Sequence, residues 1–234
     1  RERASGHSAS RDLARPVSAS WAVCSMSVVW FHGLGDTGDG WEGAFDEVES
    51  QVEGVRFHHP DAPEAPVTIQ EGDVTTSWFD LKTWPIDLSE PEDPAGLAES
   101  VKRVHEMLDN LDGNGTPANR IVLGGFSQGG TLSLFAGLTY PKKLAGIVAI
   151  SGWLTCRKDF ESKVHEANKD TPVLYCYGSA DPVVDVSLTK RSGEILQSVL
   201  GSAVSVMPVR RGMHQPDGSE MMAASQFMIR SLKQ

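Results

Sequence analysis

The stretch Arg120-Ile121-Val122-Leu123-Gly124-Gly125-Phe126-Ser127-Gln128-Gly129-Gly130 decides the fold. Its first half is a continuous apolar run, the form of a strand buried on both faces of a sheet. Its second half sets one serine among glycines, and Gly125-Phe126-Ser127-Gln128-Gly129 has the Gly-x-Ser-x-Gly spacing of a strand-to-helix elbow that exposes a nucleophile. The glycines have a physical purpose. A serine on so sharp a turn is held in a strained backbone conformation, and side chains beside it would strike the helix or the next strand. With 23 glycines in the chain the pentapeptide also arises by chance, so its weight comes from its place between a strand and an apolar helical stretch.

The same design continues on either side. Val28-Val29-Trp30-Phe31 runs into His32-Gly33-Leu34-Gly35, and the apolar runs 144–150, 172–177 and 204–209 end at Ser151-Gly152, Gly178-Ser179 and Arg210-Arg211-Gly212. Helical patterns lie between them. Leu97, Val101, Val104 and Leu108 fall on one stripe of a helix over 96–111, and 188–200 supplies another before the last strand. Strands alternating with helical crossovers predict an α/β architecture, a mostly parallel sheet with helices on both faces. The serine elbow makes it an α/β-hydrolase fold. Segment 60–93 breaks the pattern: it is rich in proline and carries Trp78, Phe79 and Trp84 without periodicity, so it reads as an ordered excursion. No internal repeat or second domain is visible, and 28–234 is expected to form one hydrolase domain.

The 234 residues are 40% hydrophobic, enough for one sizeable core. A formal charge of -10 argues against nucleic acid as a partner, since phosphate binding needs clustered Lys and Arg. Cys24, Cys156 and Cys176 are odd in number and lack ligand spacing, so neither a disulfide framework nor a metal site is expected, and a reducing, cytoplasmic location fits them. No apolar run approaches the ~20 residues that span a bilayer, which leaves transient contact with a membrane surface open. Residues 1–27 are rich in Ser, Ala and Arg and poor in acids, a composition shared by disordered tails and organellar transit peptides; a disordered extension is the expectation. The chain opens on Arg1, so its start is expected to lie upstream or to have been trimmed.

A nucleophilic serine needs a base, and in this fold the partners follow in the order Ser, acid, His, each on a loop after a later strand. Two histidines follow Ser127. His165 lies in a charged, helix-like stretch suited to a solvated surface role. His214 follows the last strand in Gly212-Met213-His214, where the base belongs. The acid belongs after the penultimate strand, in Ser179-Ala180-Asp181-Pro182. Asp181 is assigned, with Asp185 as its rival and turn capping before Pro182 as the alternative role. The oxyanion of a tetrahedral intermediate needs backbone donors, one from Gln128 after the nucleophile and one from Leu34 in the loop His32-Gly33-Leu34-Gly35-Asp36. Because both act through the main chain, changing their side chains is expected to matter less than disturbing Gly33 or Gly35. His32 is expected to brace that loop.

Together these residues resemble the acyl-protein thioesterases, within the phospholipase/carboxylesterase group. The resemblance runs from Val28 to the C-terminus through Phe31-His32-Gly33-Leu34-Gly35-Asp36-Thr37-Gly38, Ser77-Trp78-Phe79-Asp80, Leu123 to Gly130, Ser151-Gly152-Trp153-Leu154, Gly178 to Pro182 and Gly212-Met213-His214. It implies a serine hydrolase that cleaves long-chain acyl thioesters, S-palmitoyl groups on protein cysteines, through an acyl-enzyme and without a cofactor. S-acylated proteins or acyl-ester lipids would be its substrates. A carboxylesterase or lysophospholipase acting on small esters or lipids is the alternative; a non-catalytic acyl-binding module would lack a triad member. Three features depart from the family pattern: the extension 1–27, Gln215-Pro216-Asp217 where small hydroxyl residues are frequent, and Arg210-Arg211. An acyl chain needs an apolar groove, worth ~0.8 kcal/mol per buried methylene. Trp78, Phe79, Trp84, Trp153 and Leu154, with Leu34, are the candidates for its walls, and core packing is the alternative for Trp78 and Phe79.

Overall fold

The computed structural model describes residues 25–234, so the expected disordered extension lies, up to residue 24, outside the described residues. The strands are β1 (Met26–Phe31), β2 (Val55–His58), β3 (Glu64–Pro66), β4 (Val74–Thr76), β5 (Ile121–Phe126), β6 (Gly146–Ile150), β7 (Val173–Gly178) and β8 (Val204–Val209). The helices are α1 (Asp46–Gln51), α2 (Leu97–Gly113), α3 (Gln128–Thr139), α4 (Phe160–Lys163), α5 (Val186–Leu200) and α6 (Gly218–Leu232). Six strands form one sheet in the order β2-β1-β5-β6-β7-β8, with every neighbouring pair parallel. The hairpin β3-β4 stands apart in the excursion.

Strand alternation feeds two cores. Val29, Phe31, Ile121, Leu123, Ile147 and Tyr175 face the layer that holds Leu97, Val104 and Leu108 of α2 and Leu188 and Leu196 of α5. Val28, Trp30, Val122, Val148 and Leu174 face Val48 of α1 and Ala224, Phe227 and Met228 of α6. Both sheet faces are therefore covered, which is why the strands read as continuous apolar runs. Helix α3 is buried almost all round, as befits the helix that follows the central strand.

β1 starts at Met26, two residues before the expected boundary at 28. Met26 pairs with Val55, and the buried Ser27 places its hydroxyl 3.1 Å from His58 Nε2, so a polar residue belongs to the strand. The short edge strand β2 and the final helix α6 also escaped the periodicity. Among the described residues no helix is long and apolar enough to cross a membrane.

Candidate active site

The C-terminal ends of β5 to β8 lie side by side, the edge at which open α/β sheets place their chemistry. The elbow after β5 holds Ser127 at φ 55° and ψ -120°, outside the ordinary regions for a residue with a side chain. Its glycines are sterically required. A Cβ on Gly125 would lie 2.4 Å from the main chain of Gly129, and one on Gly129 would lie 2.2 Å from Phe31 O. The close approach of α3 to β5 and β1 leaves no room for either, and that approach is what turns the serine outward.

Ser127 Oγ lies 2.9 Å from His214 Nε2, and His214 Nδ1 lies 2.8 Å from Asp181 Oδ2. The other carboxylate oxygen, Oδ1, accepts the N–H groups of Val183 at 2.7 Å and Val184 at 3.0 Å. A carboxylate so placed accepts the Nδ1 proton, which leaves Nε2 free to accept from the serine hydroxyl. Asp181 thus caps a turn with one oxygen and meets His214 with the other. Its rival Asp185 accepts from Ser187 N as the N-cap of α5. His165 sits on the surface, accepting from Ala167 N.

The other groups beneath the histidine loop are set by burial. Cys176 on β7 is fully buried, and its thiol is pushed up to about 12, so it holds no reactive thiolate. Glu220, in the first turn of α6, forms a capping box with Asp217: Asp217 N donates to its Oε2 at 3.0 Å. Among the described residues its Oε1 is buried without a partner, and burial pushes the carboxyl above the ordinary glutamate range.

The loop after β1 is braced as expected. His32 Nε2 accepts from Ala62 N at 3.0 Å, so its Nδ1 carries the proton and donates to Gly33 O at 2.7 Å. Gly35 N donates to Thr76 O at 2.9 Å, which ties this loop to β4. Gln128 holds more than a backbone donor. Its fully buried side chain accepts from Trp78 N at 2.9 Å and donates to Phe79 O at 2.5 Å and Ser77 Oγ at 3.1 Å. The side chain therefore has a task beside that of its backbone N–H: it fastens the excursion to the helix behind the nucleophile.

A cavity of about 720 Å³ opens over Ser127 and His214. Its apolar wall is made by Leu34, Ile69, Leu81, Trp84, Ile86 and Val183, and Gln215 stands at its polar edge. Of the residues expected in an acyl groove, Trp84 and Leu34 are here, Trp84 being 64% exposed at the mouth. Trp153 and Leu154 do not line the cavity: at 1% and 0% exposure they lie in the core, with Trp153 N donating to Thr131 Oγ1 and Leu154 N to Ser192 Oγ. Trp78 and Phe79 are also core residues. Trp78 Nε1 donates to His32 O at 2.9 Å, Phe79 packs edge-on against Trp153, and the two border a separate cavity beside α2. Large aromatics were the wrong signal, because a ring with fixed partners pins a loop. The aliphatic residues Ile69, Leu81, Ile86 and Val183 went unseen because the wall they build is assembled from distant parts of the chain. Val183, two residues after Asp181, is the one whose position pointed to the site.

A serine at a strand-end elbow, bonded through a histidine to a buried aspartate on a parallel sheet covered by helices on both faces, defines an α/β-hydrolase. The sequence profile of the phospholipase/carboxylesterase family matches residues 18–232. The chain belongs to that family and is a hydrolase. It is 40% identical over 178 residues to acyl-protein thioesterase 1 of Cryptococcus neoformans, covering 76% of this chain and 75% of that protein. It is 35% identical over 203 residues to acyl-protein thioesterase 1 of Schizosaccharomyces pombe, covering 87% and 89%. The crystal structure of Arabidopsis thaliana SOBER1 superposes with a TM-score of 0.83 at 30% identity, over 89% of this chain and 99% of that one.

Proposed function

We propose that this hydrolase removes long-chain acyl groups, S-palmitoyl above all, from protein cysteines, with Ser127 as nucleophile, His214 as general base and Asp181 as its orienting acid. Two features support this reading: the bonded series Asp181, His214, Ser127 ends in a cavity with a continuous apolar wall, and the relatives above bear the name acyl-protein thioesterase. His214 Nε2 takes the hydroxyl proton as Ser127 Oγ bonds to the acyl carbon, and the N–H groups of Leu34 and Gln128 stabilise the oxyanion. The C–S bond then breaks, the leaving sulfur takes that proton from His214 and departs as the thiol, and His214, neutral again, deprotonates the water that attacks the acyl-enzyme and returns the proton to Ser127 Oγ. A thiol of pKa ~8.5 leaves with little help from an acid, so deacylation sets the rate.

The cavity lies within the ~300–1,000 Å³ typical of small-molecule sites, and its apolar side accounts for the acyl part of the substrate. The thiols Cys156 and Cys176 accord with a cytoplasmic location, and the exposed Trp84 at the mouth accords with transient contact at a membrane surface, where acylated proteins reside.

The test is release of free thiol from a palmitoyl-cysteine peptide by the wild type and by Ser127→Ala, beside an oxygen ester of the same acyl chain. Thioester cleavage that falls by about 10⁴-fold or more in the variant is the expected result. Cleavage of the ester alone would make the protein a carboxylesterase or lysophospholipase, and an unaffected variant would remove Ser127 from the mechanism.

A further inference from the structure

Of the four loops at the C-terminal ends of β5 to β8, three carry Ser127, Asp181 and His214; the fourth, after β6, carries Ser151. Two features set Ser151 apart. It is fully buried, and its φ of 52° lies in the left-handed region that favours glycine. Its N–H extends the sheet ladder to Cys176 O at 2.9 Å, while its hydroxyl donates to the carbonyl oxygen of His214 at 2.8 Å.

The histidine loop needs such a tie. It leaves β8 at the sheet edge, yet its imidazole serves Ser127 at the end of β5, three strand spacings or ~14 Å away at ~4.8 Å each. Residues 210–217 cross that span without regular structure. Near β7, Gly212 O accepts from Ala180 N at 2.9 Å and Arg211 N donates to Ser179 Oγ at 2.8 Å. Among the described residues, the Ser151 hydroxyl makes the only hydrogen bond to the main chain of His214 itself.

We propose that Ser151 is a positioning residue for the hydrolytic reaction: its hydroxyl, delivered by a left-handed turn at the end of β6, fixes the His214 carbonyl and thereby the reach of Nε2 to Ser127. Glycine would adopt this backbone without strain, and what serine adds is this bond. Ser151 touches no substrate and exchanges no proton in the reaction. The inference rests on the assignment of Ser127 and His214 above.

Two variants separate positioning from support of the fold. Ser151→Gly removes the hydroxyl and relaxes the backbone, whereas Ser151→Ala removes it and keeps the strain. Both are expected to lower kcat on the acyl thioester by about ten- to hundredfold, the scale of an ångström of misplacement. KM should change by less than about threefold in each, because the lost interaction acts on the transition state. Labelling of Ser127 by a fluorophosphonate should slow in parallel, and Ser151→Gly should melt at or above the temperature of Ser151→Ala. The proposal is overturned if activity follows the melting temperature instead, with Ser151→Gly turning over at the wild-type rate and Ser151→Ala slow. A wild type without Ser127-dependent turnover would overturn the assignment on which the inference rests, and the Ser127→Ala control reveals that case separately.

Discussion

The elbow after β5 and the excursion over 60–93 both line one cavity but are ordered by different means. At the elbow, main chain packs against main chain, and Gly125 and Gly129 are fixed by contacts within a few residues or with the adjacent strand. In the excursion, main chain hangs from polar side chains: Trp78 N and Phe79 O on the distant Gln128, Thr68 N on Asp80, and Lys82 N and Thr83 N on Glu90. The first kind of order leaves a signature in local composition. The second leaves none, because a polar side chain that anchors a distant loop looks like any other polar side chain.

Gln128 belongs to both regions, and removing its side chain is the strongest test of how they are joined. Gln128→Ala leaves Trp78 N buried without this partner, at ~1–3 kcal/mol, and takes one of two donors from Phe79 O, which keeps the Ser77 hydroxyl, so a loss of about 1–3 kcal/mol in urea unfolding is expected. Turnover should fall as well, since Gly35 N and Thr76 O couple the excursion to the oxyanion loop. If stability and turnover both stay within experimental error of the wild type, the two regions are independent, and Gln128 contributes through its backbone alone.

This division explains what the sequence made legible. The parallel sheet, the elbow, and the loops carrying Asp181 and His214 could be read because strand ends and glycine turns are local. β2 was missed as a short, half-buried edge strand, and α6 because its clearest signal is Asp217 and Glu220 at capping-box spacing. The cavity wall was legible only in part, since Ile86 reaches it by bridging to Val184, a pairing that no window of sequence contains. Aromatic content located the excursion correctly but misjudged which rings face the cavity.

Trp78 and Trp84, six residues apart, sharpen the contrast within the excursion. Trp84, exposed at the mouth, is expected to be a binding residue. Trp84→Ala should leave unfolding within ~0.5 kcal/mol of the wild type. It should raise KM for a palmitoyl substrate by about four- to fifteenfold, the worth of one or two buried methylenes, and leave an acetyl thioester unaffected. Trp78 should behave in the opposite sense, with lost stability and no chain-length dependence in its effect. An acyl-length series run on both variants beside thermal melts decides the matter, and equal loss for short and long chains in Trp84→Ala would remove it from the acyl wall.

The smallest effect expected compares two buried carboxylates, one in the excursion and one in the first turn of α6. Glu90, in the excursion, accepts from Lys82 N, Thr83 N and Thr83 Oγ1, so its burial is matched by donors. Glu220, beneath the histidine loop, has among the described residues one donor, Asp217 N, and an oxygen with none, and burial raises its carboxyl above the ordinary 4.5. Between 4.5 and that raised value the folded chain binds more protons than the unfolded chain, so this group's contribution to stability improves as pH falls. Glu220→Gln removes the titration. The variant should therefore be at least as stable as the wild type at pH 8, and its advantage should shrink as pH falls and level off below 4.5, where both forms of the wild type are protonated at this site. Paired melting curves across that range measure the difference directly. An offset independent of pH would mean that the capping bond to Asp217 dominates and that the unpartnered oxygen has no energetic consequence.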